Sequence, residues 1–260
     1  MLTTAATYRY ITKDLERSLA LKSAEKPVAL ESQYYLKNIN NIKSIDDLLK
    51  DTRLFSYAMT AFGLTEMGHA KAYMRKVLTE GVEDKKSFAN RIDDQRFIQF
   101  ARTFNFARDG AAATETTEAR QGVVDRYVRQ VLEVDAGETN EGVRLALYFL
   151  REAPKVKSAY DLLADPALWE IVKTAFGFPD EMANADIEKQ AAAVLERLGL
   201  ADLKDPVALD RLLTRFALVW DATEVATQDP ILSLFGPLSP SGTVDLDLVM
   251  TLNNLKHGGL

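Results

Sequence analysis

The sequence predicts an all-α protein, a multi-helix bundle built from two tandem divergent helical repeats. Apolar residues recur at helical spacing along most of the chain, helix caps stand at several boundaries, and no segment alternates apolar and polar residues as a half-buried strand would. The third observation is self-similarity. Residues 44–63 read SIDDLLKDTRLFSYAMTAFG and, a constant 114 positions later, residues 158–177 read SAYDLLADPALWEIVKTAFG. Across the 30 positions 34–63 the two copies share 13 identities, where ordinary composition gives about 2. Similarity at a fixed offset is the mark of a repeat. The repeats fall at about 31–106 and 140–222 within a single domain, 1–228, and 229–260 is a linker and a C-terminal amphipathic helix.

What is repeated is helix and cap chemistry. Ser44 with Asp47, and Ser158 with Asp161, have the spacing of a capping box, so a short helix follows each. Asp51 and Asp165 then stand as second N-caps, and Pro166 takes the first helical position, where a missing N–H costs nothing. Leu54, Ala61 and Phe62 line one face of the second helix, with Leu168, Ala175 and Phe176 as equivalents and the two Phe rings as core anchors. Gly63 and Gly177 close both helices as left-handed C-caps.

In chain order, residues 2–22 read as one amphipathic helix with the stripe Tyr8, Ile11, Leu15 and Leu19. Pro27 starts a helix that the Asn-rich stretch 38–41 stops. After Gly63 come helices at about 66–79, 87–92 and 93–104; a loop at 108–114 opens a long helix to about Val134, and a turn follows at Ala136 and Gly137. A helix over 141–152 aligns with the one around Tyr34. Helices through 191–198 and from Asp205–Pro206 to Trp220 complete the domain, the last bringing Leu209, Leu212, Leu213, Phe216, Leu218 and Val219 to the core. Beyond the hinge-like GPLSPSG, residues 245–257 place Leu248, Leu252 and Leu255 on one helical face.

Composition narrows the function classes. With 38 acidic and 32 basic residues the formal charge is −6, which provides no field to gather a nucleic acid or an anionic membrane. No apolar run of about 18 residues is present to span a membrane, and no Sec-type leader opens the chain. The absence of cysteine removes disulfides, thiolate nucleophiles and zinc–sulfur sites.

A search for chemistry returns little. Residues 63–70 have P-loop glycine spacing, but His69 and Ala70 stand where Lys and Ser or Thr are needed. Glu66 and His69 match half of a di-iron Glu-x-x-His motif, and the second repeat has no counterpart; the reading is a helix-surface His. Asp46, Asp47, Asp93 and Asp94 are paired acids at helix starts, read as caps, so an acid/base enzyme built on them ranks last. Arg120, Asp125, Arg126 and Arg129 read as a solvated helix face, with a protein-binding face as the sharper alternative. No catalytic, cofactor-binding or metal residue is assigned, and no cofactor.

The segments YYLKNINNIKSIDDLLKDTRLFSYAMTAFGL, AKAYMRKVLTEGV, ARQGVVDRYVRQVLEVDAGETNEGVRLALYFLREAP and LDRLLTRFALVWD closely resemble a bacterial family, catalogued as a domain of unknown function, whose genes occur within flagellar gene clusters. The likeness covers about residues 5–222, and the terminal LNNLKHGGL is similar to the family's ending. It implies a non-enzymatic flagellum-associated protein, structural, accessory or chaperone-like, whose partners are other flagellar proteins. It further implies a cytoplasmic location or export through the flagellar apparatus. The alternative is a small-ligand-binding or regulatory helical domain with its pocket at the interface of the two repeats.

Overall fold

The caps written in the sequence start helices where they stand. The computed structural model describes residues 3–92 and 94–228, and every described element is a helix or turn. The chain opens with α1 (Thr4–Thr12), α2 (Leu15–Ala24) and α3 (Lys26–Asn38). Next come α4 (Ile45–Lys50) and α5 (Thr52–Ala61), then α6 (Lys71–Glu80), α7 (Phe88–Arg91), α8 (Gln95–Thr103) and α9 (Phe106–Asp109). The second half comprises α10 (Gln121–Thr139), α11 (Glu141–Glu152), α12 (Ala159–Ala164), α13 (Pro166–Phe176), α14 (Ile187–Arg197) and α15 (Pro206–Gln228). One compact unit runs to Trp220, and the described residues from Asp221 on lie outside it. The linker and amphipathic helix expected at 229–260 lie outside the described residues.

The repeated segments fold alike at their defining positions. Ser44 Oγ accepts from Asp47 N at 3.1 Å, and Ser158 Oγ accepts from Asp161 N at 3.3 Å. Both helices α5 and α13 close on a glycine with φ near +65° (66° and 64°), the conformation that glycine alone takes without strain. Across each glycine an amide reaches back five residues, Leu64 N to Met59 O and Phe178 N to Lys173 O, at 2.8 and 2.9 Å. The caps differ in strength. Asp51 accepts from Leu54 N at 3.0 Å and from the Tyr34 hydroxyl at 3.4 Å. Asp165 accepts from Ala167 N and Leu168 N at 2.9 and 3.1 Å, and from the Tyr148 hydroxyl at 2.6 Å. Asp165→Ala is therefore expected to cost about 2 kcal/mol in urea unfolding and Asp51→Ala about 1 kcal/mol. Equal costs would show that the Tyr148 contact adds nothing.

Two hydrophobic cores result. The first takes its buried residues from α3 to α10 and holds a stack of Tyr35, Tyr57 and Tyr127 with centroids 4.6 and 3.9 Å apart. Its Tyr35 hydroxyl donates to Ala119 O at 2.6 Å, which satisfies a phenol that burial pushes well above its ordinary pKa. The second core is built from α11 to α15 together with Tyr8 of α1. The long helix α10 packs against α2, α3, α5 and α11, and α11 packs against α1 and α13.

Five expectations are corrected. The single helix over 2–22 is broken, because the Asp14 side chain accepts from Arg17 N at 3.0 Å and starts a new helix there. The break sends α1 to the second core and lets Leu19 of α2 reach the first. The helix expected at 66–79 begins only at Lys71, after a 3-10 turn over Thr65–Met67. No turn occurs at Ala136–Gly137: α10 runs through to Thr139, and a Cβ on Gly137 would meet Arg144 Cδ at 2.7 Å, so this glycine serves the close approach of α11. Phe176 is only half-buried; Phe178, turned inward past Gly177, is buried in its place. Leu218 and Val219 are exposed rather than in the core, Leu218 by 58 % and Val219 by 36 %; nine residues turn a helix half-way round from Leu209 to Leu218.

Candidate functional site

The charged stripe of α10 divides in two. Arg129 is only 9 % exposed and Glu133, one turn on, only 1 %. Arg129 Nε donates to Glu133 Oε1 at 2.8 Å, and its Nη2 to Leu147 O of α11 at 3.0 Å. From α11, Arg151 Nε and Nη2 donate to the two Glu133 oxygens, both at 2.9 Å, and its Nη1 donates to Glu152 at 2.7 Å. One buried carboxylate thus holds two guanidiniums and ties α10 to α11. Burial works to lower the Arg151 pKa, but the hydrogen bonds and charge of Glu133 overcome it and leave it raised. The expected solvated face is therefore wrong at Arg129. The signal was present in the sequence: Arg129 and Glu133 are one turn apart and each directly follows a core residue, Val128 and Leu132. Arg126 makes no ion pair among the described residues; it donates to Gln99 Oε1 at 3.1 Å, and burial and the neighbouring Arg151 charge lower its pKa.

The other residues that sequence patterns single out are dispersed. Glu66 pairs with Arg96 at 3.2 Å, and His69 lies between the 3-10 turn and α6, so the two do not share a helical face. Asp46 pairs with Arg75 at 2.6 Å, and Asp94 caps α8. The hydrogen bond with Ser44, joined by the Lys43 amide, lowers the Asp47 pKa. Asp93 lies outside the described residues. Among the described residues no group of three or more His, Asp or Glu side chains is placed to hold a metal ion.

Two open cavities lie against α1 and α15, one of them also touching Leu150 of α11. Their volumes are about 460 and 520 Å³, and they share Arg9 and Asp210. Arg211 and Arg215 of α15 line one, and Lys13, just past α1, lines the other. None of these four basic residues makes an ion pair among the described residues, although Arg215 lies over the Phe176 ring at 5.2 Å. Asp210 supplies the only carboxylate lining either cavity among the described residues. It sits close enough to Tyr8 that its charge adds to burial in raising the phenol's pKa. Sequence patterns missed this site because its walls, α1 and α15, stand far apart in the chain, Arg9 and Asp210 being 201 positions apart (210 − 9).

Residues 61–209 match the family described as "Protein of unknown function (DUF1217)". The fold is similar to the crystal structure of protein AGR_C_984 from Agrobacterium tumefaciens, with a TM-score of 0.78 and 45 % sequence identity over 86 % of this chain and 97 % of that one. No curated protein matches.

Proposed function

This chain belongs to the DUF1217 family, and we propose that it is a flagellum-associated protein that works through protein–protein contacts rather than catalysis. One structural observation carries the second half of this reading: the α1–α15 groove holds four basic side chains that make no ion pair among the described residues, beside exposed apolar surface. Groups left unmatched on one face are matched by a partner. The flagellar assignment draws on the likeness of residues 5–222 to a family encoded within flagellar gene clusters. On this reading the partners are other flagellar proteins, met in the cytoplasm or after export through the flagellar apparatus. No described helix is long and apolar enough to cross a membrane.

The two cavities, near 500 Å³ each, also favour a second reading, a small-ligand-binding or regulatory domain, because pockets of roughly 300–1,000 Å³ suit such ligands. A clean deletion strain separates the two. Its swimming radius in soft agar is expected to collapse, with flagella lost or shortened in electron micrographs and restored by the full-length gene. Normal swimming with normal flagella would remove the flagellar reading.

A further inference from the structure

We propose that the groove between α1 and α15 is the docking site for an acidic amphipathic helix supplied by a partner protein. This rests on the reading that the protein works through protein contacts, and it adds the surface and the partner's chemistry.

Shape comes first. The two cavities adjoin through Arg9 and Asp210, so the groove is elongated rather than a compact bowl. Its α15 wall runs from Pro206 to Val219, about 20 Å at 1.5 Å per residue, which matches some three to four turns of a helix laid alongside. A small molecule would fill only part of that length.

Charge gives the polarity of the occupant. Arg211 and Arg215 stand one turn apart on α15, and Arg9 and Lys13 are likewise four residues apart at the end of α1. Like charges at this spacing oppose each other in a helix. A docked helix with Glu or Asp at matching intervals would remove that repulsion and complete the ion pairs. The setting sharpens the contrast, because the whole chain carries −6. An extended polyanion would meet this repulsive background, whereas a short acidic helix meets only the groove.

The floor gives the second property. Leu150, Pro206 and Leu218 line the same cavities as the basic side chains and offer apolar surface there, which calls for an apolar ridge on the partner, the pattern of a helix lying in a groove. The Thr214 hydroxyl lines the same surface, buried and without a hydrogen-bond partner. Asp210, which lines both cavities, disfavours an acid at that point of the ridge and fixes the register.

The test places a photo-crosslinking p-benzoylphenylalanine at Leu218 in the full-length chain in its native cells, with the same residue at the exposed Tyr160 of α12 as control. Crosslinked peptides are identified by mass spectrometry. The expected product joins Leu218's position to a partner segment with Asp or Glu at four-residue spacing beside an apolar ridge. Its yield should fall at least about tenfold in Arg211→Glu/Arg215→Glu and return when the partner's acids are changed to Arg. An unchanged thermal midpoint for the double variant shows that it folds. Crosslinks to a non-acidic segment, to a second copy of this chain, to lipid or to nucleic acid would overturn the proposal, as would no product above the Tyr160 control. A mapped acidic helix in a deletion strain that swims normally removes only the flagellar assignment; lost flagella with no crosslink removes only the docking site.

Discussion

Glu133→Ala is expected to cost about 3–5 kcal/mol, the cost of stripping a buried pair of its partner. For a unit of this size that corresponds to a fall of roughly 6–20 °C in Tm. The carboxylate is 1 % exposed and receives three hydrogen bonds from Arg129 and Arg151. Its removal leaves the Arg129 charge in a site closed to water, held only by Leu147 O. Arg151 suffers less, because it keeps Glu152 at 2.7 Å. The double variant Arg129→Met/Glu133→Leu should recover most of the loss, since apolar side chains of similar volume replace a buried pair at little cost. Guanidinium unfolding of the set measures this. A single-variant loss under about 1 kcal/mol would mean that water reaches the seam and that the pair behaves as a surface one.

Tyr8→Ala is expected to lower stability by about 3–5 kcal/mol, as for other large aromatic truncations, whereas Tyr10→Ala should stay within about 0.5 kcal/mol. The two residues stand two positions apart on α1, yet Tyr8 is buried in the second core and Tyr10 is 81 % exposed. Hydrogen exchange should place the Tyr8 damage in α1, α11 and α15 and spare α5 and α8. Equal effects of the two substitutions would show that α1 is only loosely attached.

The contrast between these tyrosines bears on what the sequence allows to be read. Local chemistry was legible: Ser44, Asp51, Ser158, Asp165 and Pro166 act within four residues of themselves, and each starts the helix expected of it. Residues whose meaning depends on distant partners were not. Arg129 reads as a surface charge until Arg151, 22 positions on, is placed beside Glu133. Gly137 reads as a turn until α11 folds back against it. The α1–α15 groove is the extreme case, because neither wall carries a motif and only the tertiary fold brings Arg9 near Asp210.

The placement of α1 has a further consequence, for the order of events on the ribosome. Helix α1 finds its packing partners in the second core, far along the chain: Thr4 donates to Asn140 at 3.0 Å, and Tyr8 shares its core with Phe216. The nascent chain can bury α3 to α10 while synthesis continues, but α1 must wait for nearly the whole unit to emerge. Closure of the α1 contact therefore follows burial of the first core. The long loop this contact closes adds to its chain-entropy cost, which grows only slowly with loop length, and the buried Tyr8 ring offsets it.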